Sequence, residues 1–175
     1  MTDALVDDHA EVDALLRGVL LAFDGGDARE VFSKLDYLWA RLAIHIRAEH
    51  LHLFPALLSA ASAEGAGRTS VRPAAREVLE SVESLREDHD FFMRELAGAV
   101  NAARDLAALD DADDLGVFMQ IKGRVLAVAT RLAEHNRVEE EQVYRWPEAL
   151  LSPSQLGALS AGIKHEIENL PPRFA

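Results

Sequence analysis

LDYLWARLAIHIRAEHLH, residues 35–52, decides how this chain is read. Leu35, Leu38, Leu42, His45, Glu49 and His52 step by three and four, so they keep to one face of a helix. That face starts apolar and then places an imidazole and a carboxylate in a core lane. Core lanes normally exclude both, because a buried polar group without a partner is costly and an unpaired buried charge far more so. A metal ion would supply the missing partner.

The same phase recurs on both sides of this stretch. Leu5, His9, Val12, Leu16, Val19 and Phe23 form a lane before it; Val78, Val82, Leu85, His89, Phe92 and Leu96 form a third. Phe118, Ile121, Val125, Val128, Leu132, His135, Glu139 and Gln142 form a fourth. Turn signals separate the lanes: Gly25-Gly26-Asp27, the Gly/Ser/Thr-rich run Ala63 to Ser70 before Pro73, and the acidic run Asp110 to Asp114. The expected helices cover about 4–23, 28–60, 73–107 and 114–146, with a shorter fifth over about 153–168 opened by Ser152-Pro153. The expected fold is all-α, an up-down-up-down four-helix bundle with a short C-terminal helix. Residues 1–150 form the bundle, and 151–175 the short helix and tail packed on it.

The four histidines are expected at one level. In an antiparallel helix pair, residues of equal height are equidistant from the turn, so their numbers average to a position inside the connecting loop. His9 and His45 average to 27, His45 and His89 to 67, and His89 and His135 to 112, each within a turn signal. Within a helix, residues four apart lie about 40° apart in angle and about 6 Å apart along the axis, so His45 with Glu49, and His135 with Glu139, can each grip one point. The set repeats at offsets of 80, 90 and 90 residues, from His9, His45 and Glu49 to His89, His135 and Glu139, as an internal duplication would leave it. His9, His45, Glu49, His89, His135 and Glu139 are therefore the candidate metal ligands.

Composition narrows the chemistry. A chain of 175 residues, 49% hydrophobic, suffices for one soluble domain, and it has no apolar run long enough to cross a bilayer. The N-terminus lacks a positive flank and an apolar h-region, so no signal peptide is expected and the location is read as cytoplasmic. With no cysteine, disulfides, iron–sulfur clusters and thiolate zinc sites are excluded; histidine and carboxylate remain as strong ligands, suiting iron, manganese or zinc. A net charge of −12 argues against nucleic acid and anionic membrane as partners. Ferritin-type sites need Glu-x-x-His and zincins need His-Glu-x-x-His, and neither His45 nor His135 sits in such a motif.

Other polar and aromatic residues near these lanes are read more plainly. His52 shares the phase of Glu49 but is read as a partly exposed helix histidine rather than an extra ligand, His50 as solvent-facing, and His165, on the fifth helix, as solvated or interhelical. Glu140 and Glu141 read as a solvated face, either able to hydrogen-bond the outer nitrogen of a ligand histidine. Tyr37, Trp39, Tyr144 and Trp146 read as packing, with Tyr144 a candidate phenol lining the site. The Pro55 ring clashes with the carbonyl of Leu51, which either opens the backbone beside His52 or ends the helix.

The order His, His-x-x-x-Glu, His, His-x-x-x-Glu, with His45-Ile46-Arg47-Ala48-Glu49 running to Leu53-Phe54-Pro55 and His135 running through Glu139-Glu140-Glu141 to Tyr144, resembles the hemerythrin-like HHE cation-binding domain over roughly residues 1–150. The resemblance implies a left-handed four-helix bundle around two iron ions, a non-haem di-iron centre with an oxo or hydroxo bridge. It casts His9, His45, His89 and His135 as terminal ligands and Glu49 and Glu139 as bridging carboxylates. About four protein ligands per iron leave positions for a small ligand such as dioxygen, peroxide or nitric oxide. Two function classes follow: a di-iron oxidoreductase that processes peroxide or nitric oxide, and an iron- or oxygen-responsive binding or sensing module without turnover. The chain departs from oxygen-carrying hemerythrins, which place two histidines four apart on the third helix; here Leu85 and Met93 flank His89 at that spacing. It also lacks the cysteines of the iron–sulfur repair members of the family.

Overall fold

Each apolar lane folds into a helix whose ends are set by local chemistry. The computed structural model describes residues 2–63, 72–109 and 115–171. Helix α1, Asp3–Gly25, stops at Gly26, whose φ of 74° lies in the left-handed region that glycine adopts without a Cβ penalty. Asp27 then caps α2, Ala28–Ala48, its carboxylate accepting from the backbone N–H groups of Arg29 and Glu30 at 2.9 and 3.3 Å. The chain therefore reverses at the expected Gly-Gly-Asp turn. The other two expected turns lie outside the described residues, apart from Ala63.

The second lane does not run as one α-helix. A π-helical turn, Glu49–Leu53, interrupts it before α3, Phe54–Ser62, and the N–H of Phe54 donates five residues back to Glu49. Pro55 accounts for the widening, because its ring would strike the Leu51 carbonyl in a regular α-helix and an extra residue in the turn relieves the clash. The third lane is α4, Ala75–Ala107. The fourth is α5, Leu115–Glu141, shorter than expected; its chain passes through a 3₁₀ turn, Val143–Arg145, into α6, Trp146–Leu150. Ser152 caps α7, Pro153–Glu168, through the Gln155 N–H, and its own N–H donates to the Gln155 side chain at 2.9 Å.

Helices α1, α2, α4 and α5 pack in a ring, α1 on α2, α2 on α4, α4 on α5 and α5 on α1, while α7 lies against α1, α2 and the π turn. There is no strand among the described residues. The core divides into two apolar layers. One, around Val12, Leu16, Val19, Leu38, Leu96, Val125 and Leu132, fills the bundle toward the α1–α2 turn. The other, around Leu5, Leu53, Phe54, Val82, Leu85, Val143 and Ile163, fills the end covered by α3, α6 and α7. His9, His45, His89 and His135 each fall in sequence between a residue of one layer and a residue of the other, so the candidate site is a polar stratum between them. No helix among the described residues is long and apolar enough to cross a membrane.

Candidate metal centre

All six candidate ligands meet in that stratum, and none is more than 5% exposed. The Nε2 atoms of His9 and His45 face each other at 3.2 Å, and those of His89 and His135 at 3.1 Å. Glu139 spans the two pairs, with Oε2 3.2 Å from His9 Nε2 and Oε1 3.2 Å from His135 Nε2. Glu49 Oε2 lies 3.3 Å from His89 Nε2 and 3.6 Å from His45 Nε2. The donor atoms of Glu49, His89, His135 and Glu139 lie within 4.8 Å of one another, as do those of His9, His45 and Glu139. Bonds of about 2.1 Å at tetrahedral or octahedral angles put ligand atoms about 3.0–3.4 Å apart, the separation found within each pair.

The outer faces of the four imidazoles are also held. Nδ1 of His45 lies 2.8 Å from Asp8, that of His135 3.0 Å from Asp88, that of His9 2.8 Å from Glu140 and that of His89 2.9 Å from His50. Acceptors at Nδ1 favour a proton there, so that each ring, when neutral, directs its Nε2 lone pair inward, the tautomer a metal needs. Arg41 holds Asp8 and Glu11 and donates to the Ile167 carbonyl of α7 at 3.0 Å; Arg131 holds Asp88.

Electrostatics across the stratum ask for positive charge. Burial and the facing Glu139 push Glu49 up to about 8. Burial also acts to raise Glu139, but His135 and His9 hold it well below the usual carboxylate range. Burial works against a charge on His135, yet Glu139 and Glu49 lift it to about 9, and His9 is raised in the same way. Burial and the neighbouring His135 bring His89 down to about 3, and burial and His89 bring His50 down to about 4, so that pair is neutral. Burial and both glutamates raise the Tyr144 phenol far above its ordinary value. Glu49 Oε2 and Glu139 Oε1 have no hydrogen-bond partner in wholly buried side chains. Paired imidazole nitrogens and buried carboxylate oxygens that hold protons between them in the metal-free chain fit a cation in the protons' place.

Residues 1–146 match the family model of the hemerythrin HHE cation-binding domain. The chain belongs to the hemerythrin HHE family. No curated protein and no solved structure gives a significant match.

In this HHE chain several side chains lie elsewhere than expected. His50, read as solvent-facing, is half-buried against His89; His52 is partly exposed, as expected, but turns to α7, 3.8 Å from Glu166 and against Gly162. The π turn explains both, since it shifts the helical phase after Glu49. Asp8, Asp88, Arg41 and Arg131 were not singled out from the sequence, although they obey the offsets of the candidate ligands: Asp8 to Asp88 is 80 residues and Arg41 to Arg131 is 90. Glu140 does bond the outer nitrogen of a site histidine, and Tyr144 does line the site, its hydroxyl donating to Glu49 Oε1 at 2.7 Å.

Proposed function

We propose that the protein is a non-haem di-iron protein that binds, senses or turns over a small ligand, dioxygen, nitric oxide or peroxide. His9, His45, His89 and His135 serve as terminal ligands and Glu49 and Glu139 as carboxylates shared between two ions. The carrying observation is the convergence of two fully buried carboxylates on two opposed pairs of imidazole nitrogens, an arrangement that is costly without a cation. A nitrogen and oxygen donor set without cysteine suits iron, and bound iron supplies one-electron chemistry toward a small ligand. In this reading residues 1–150 are the metal-binding unit and α7 is an added buttress.

The chain's own residues define what reaches the centre. Phe54, Phe92, Leu85 and Tyr144 wall the site and exclude bulk water. A groove of about 440 Å³ between α4 and α5, lined by Ser81, Ser84, Leu85, Asp88 and Arg131, reaches the flank of His135, and one of about 450 Å³ between α1 and α5 reaches His9. Such flanks suit a small polar molecule approaching between helices.

A sensing role without turnover is favoured by one further contact. Arg41 links Asp8, and through it His45, to the last turn of α7, so a change at the centre has a direct route to the surface. Absorption spectra of iron-loaded protein before and after dioxygen, peroxide and nitric oxide test the proposal. New bands with at least one of them are expected, with turnover above that of free iron for an enzyme and without it for a sensor. A spectrum indifferent to all three contradicts small-ligand chemistry.

A further inference from the structure

Contacts around the centre repeat with the duplicated residues. Asp8 and Asp88 accept from His45 and His135, and each aspartate is held by an arginine four residues before that histidine. Phe54 stacks on His89 with ring centroids 5.9 Å apart and planes 15° apart; Tyr144, at the same distance in sequence after its glutamate, stacks on His9 at 5.5 Å and 24°. Two pairs in this set break the repeat: His50 corresponds to Glu140, and Phe54 to Tyr144.

The second difference puts a hydroxyl on one side of the centre. Tyr144 Oη lies 3.2 Å from His9 Nε2 and 3.5 Å from His45 Nε2, donates to Glu49 Oε1 at 2.7 Å and lies 3.1 Å from Glu139 Oε2. Phe54, beside His89, offers no such group. The phenol thus engages one oxygen of each glutamate and leaves the other free. Those free oxygens, Glu49 Oε2 and Glu139 Oε1, lie 3.3 and 3.2 Å from Nε2 of His89 and His135. Four donors stand ready at His89 and His135, whereas at His9 and His45 only Glu139 completes a group of three, and the phenol's single proton holds Glu49 Oε1 while its oxygen crowds Glu139 Oε2.

Resting on the two-ion reading above, we propose that the centre fills in a set order. The His89/His135 position takes the first cation, and Tyr144 acts as a positioning residue that holds back the second at His9/His45. For the second cation the phenol must release its carboxylate, and a hydrogen bond to a buried charged group is strong enough to weaken that step roughly tenfold or more. Glu140 works the other way, since a carboxylate behind His9 makes that imidazole a better donor. Without the phenol the two positions become nearly level.

Cobalt(II), added stepwise to the chelator-treated full chain, tests the order through the paramagnetically shifted, exchangeable imidazole N–H protons in proton NMR. Glu140→Gln marks the His9 resonance and His50→Gln that of His89. The His89 resonance is expected with the first equivalent and the His9 resonance with the second. In Tyr144→Phe the two should rise nearly together, the ratio of the stepwise binding constants falling roughly tenfold. Simultaneous or reversed filling in the parent chain overturns the proposal, as does an unchanged ratio in Tyr144→Phe. A second step weakened by Tyr144→Phe also overturns it, because the phenol would then be a ligand. Any of these results with two cobalt ions bound leaves the two-ion reading standing; one ion or none removes both.

Discussion

At the residue scale the centre is a set of donors aimed from both sides. Each inward Nε2 depends on a partner at Nδ1, and such partners are commonly worth ten- to a hundredfold in metal affinity. His50→Ala should therefore weaken metal binding by about that factor, whereas His52→Ala, turned toward α7, should leave it unchanged; competition against a chelator measures both. The two histidines are two positions apart, on either side of Leu51, and helical phase alone set His52, not His50, in line with Glu49. Asp8, Asp88, Arg41 and Arg131 were legible only through the repeat, because nothing in a lone Asp-His or a lone Arg-x-x-x-His distinguishes it from an ordinary helix surface.

Protonation at the same residues predicts a pH dependence. Glu49, raised to about 8 from 4.5, and His135, raised to about 9 from 6.5, hold protons more tightly in the folded chain than in the unfolded one. Their contribution to stability is full below the unfolded value and is lost as pH rises through the folded value. His50 and His89, lowered to about 4 and about 3, act in the opposite sense, but only below 6.5. Metal-free protein should thus lose thermal stability between pH 6.5 and 9, while the gain on adding metal widens, since metal displaces those protons. A metal-free Tm that rises across this window would count against the proton assignment.

At the element scale, lanes with a period of 3.6 were enough to place α1, α4 and α5 to within a few residues, because burial of a continuous apolar face dominates local preference, while the Ser152-Pro153 start placed α7. The π turn was not readable. Pro55 is compatible with a helix end or with a bulge, and the turn that forms packs on α7, which lies far off in sequence. Gly162 marks the contact: a Cβ there would lie 2.6 Å from Nδ1 of His52. Gly162→Ala should cost about 1 kcal/mol in urea denaturation, despite the helix propensity gained, and the cost should vanish in a His52→Ala background. An alanine that stabilises the parent chain would mean His52 swings away freely.

At the scale of the whole molecule, a bundle with a charged stratum between two apolar layers is expected to draw stability from what binds in that stratum. The six candidate ligands were legible from spacing alone because they are the positions where core lanes turn polar. The order of filling was not, since it rests on one hydroxyl that only the folded chain brings to the glutamates. At free metal a hundredfold above its dissociation constant, binding adds about 3 kcal/mol, so chelation should lower Tm by roughly 5–10 °C.

Metal analysis of the purified chain beside Glu49→Ala and Glu139→Ala bears most directly on the central claim. The account predicts two irons per chain in the parent and loss of iron in both variants, each of which removes a carboxylate shared between the ions. A parent chain without iron, or the same iron content in all three proteins, would contradict it.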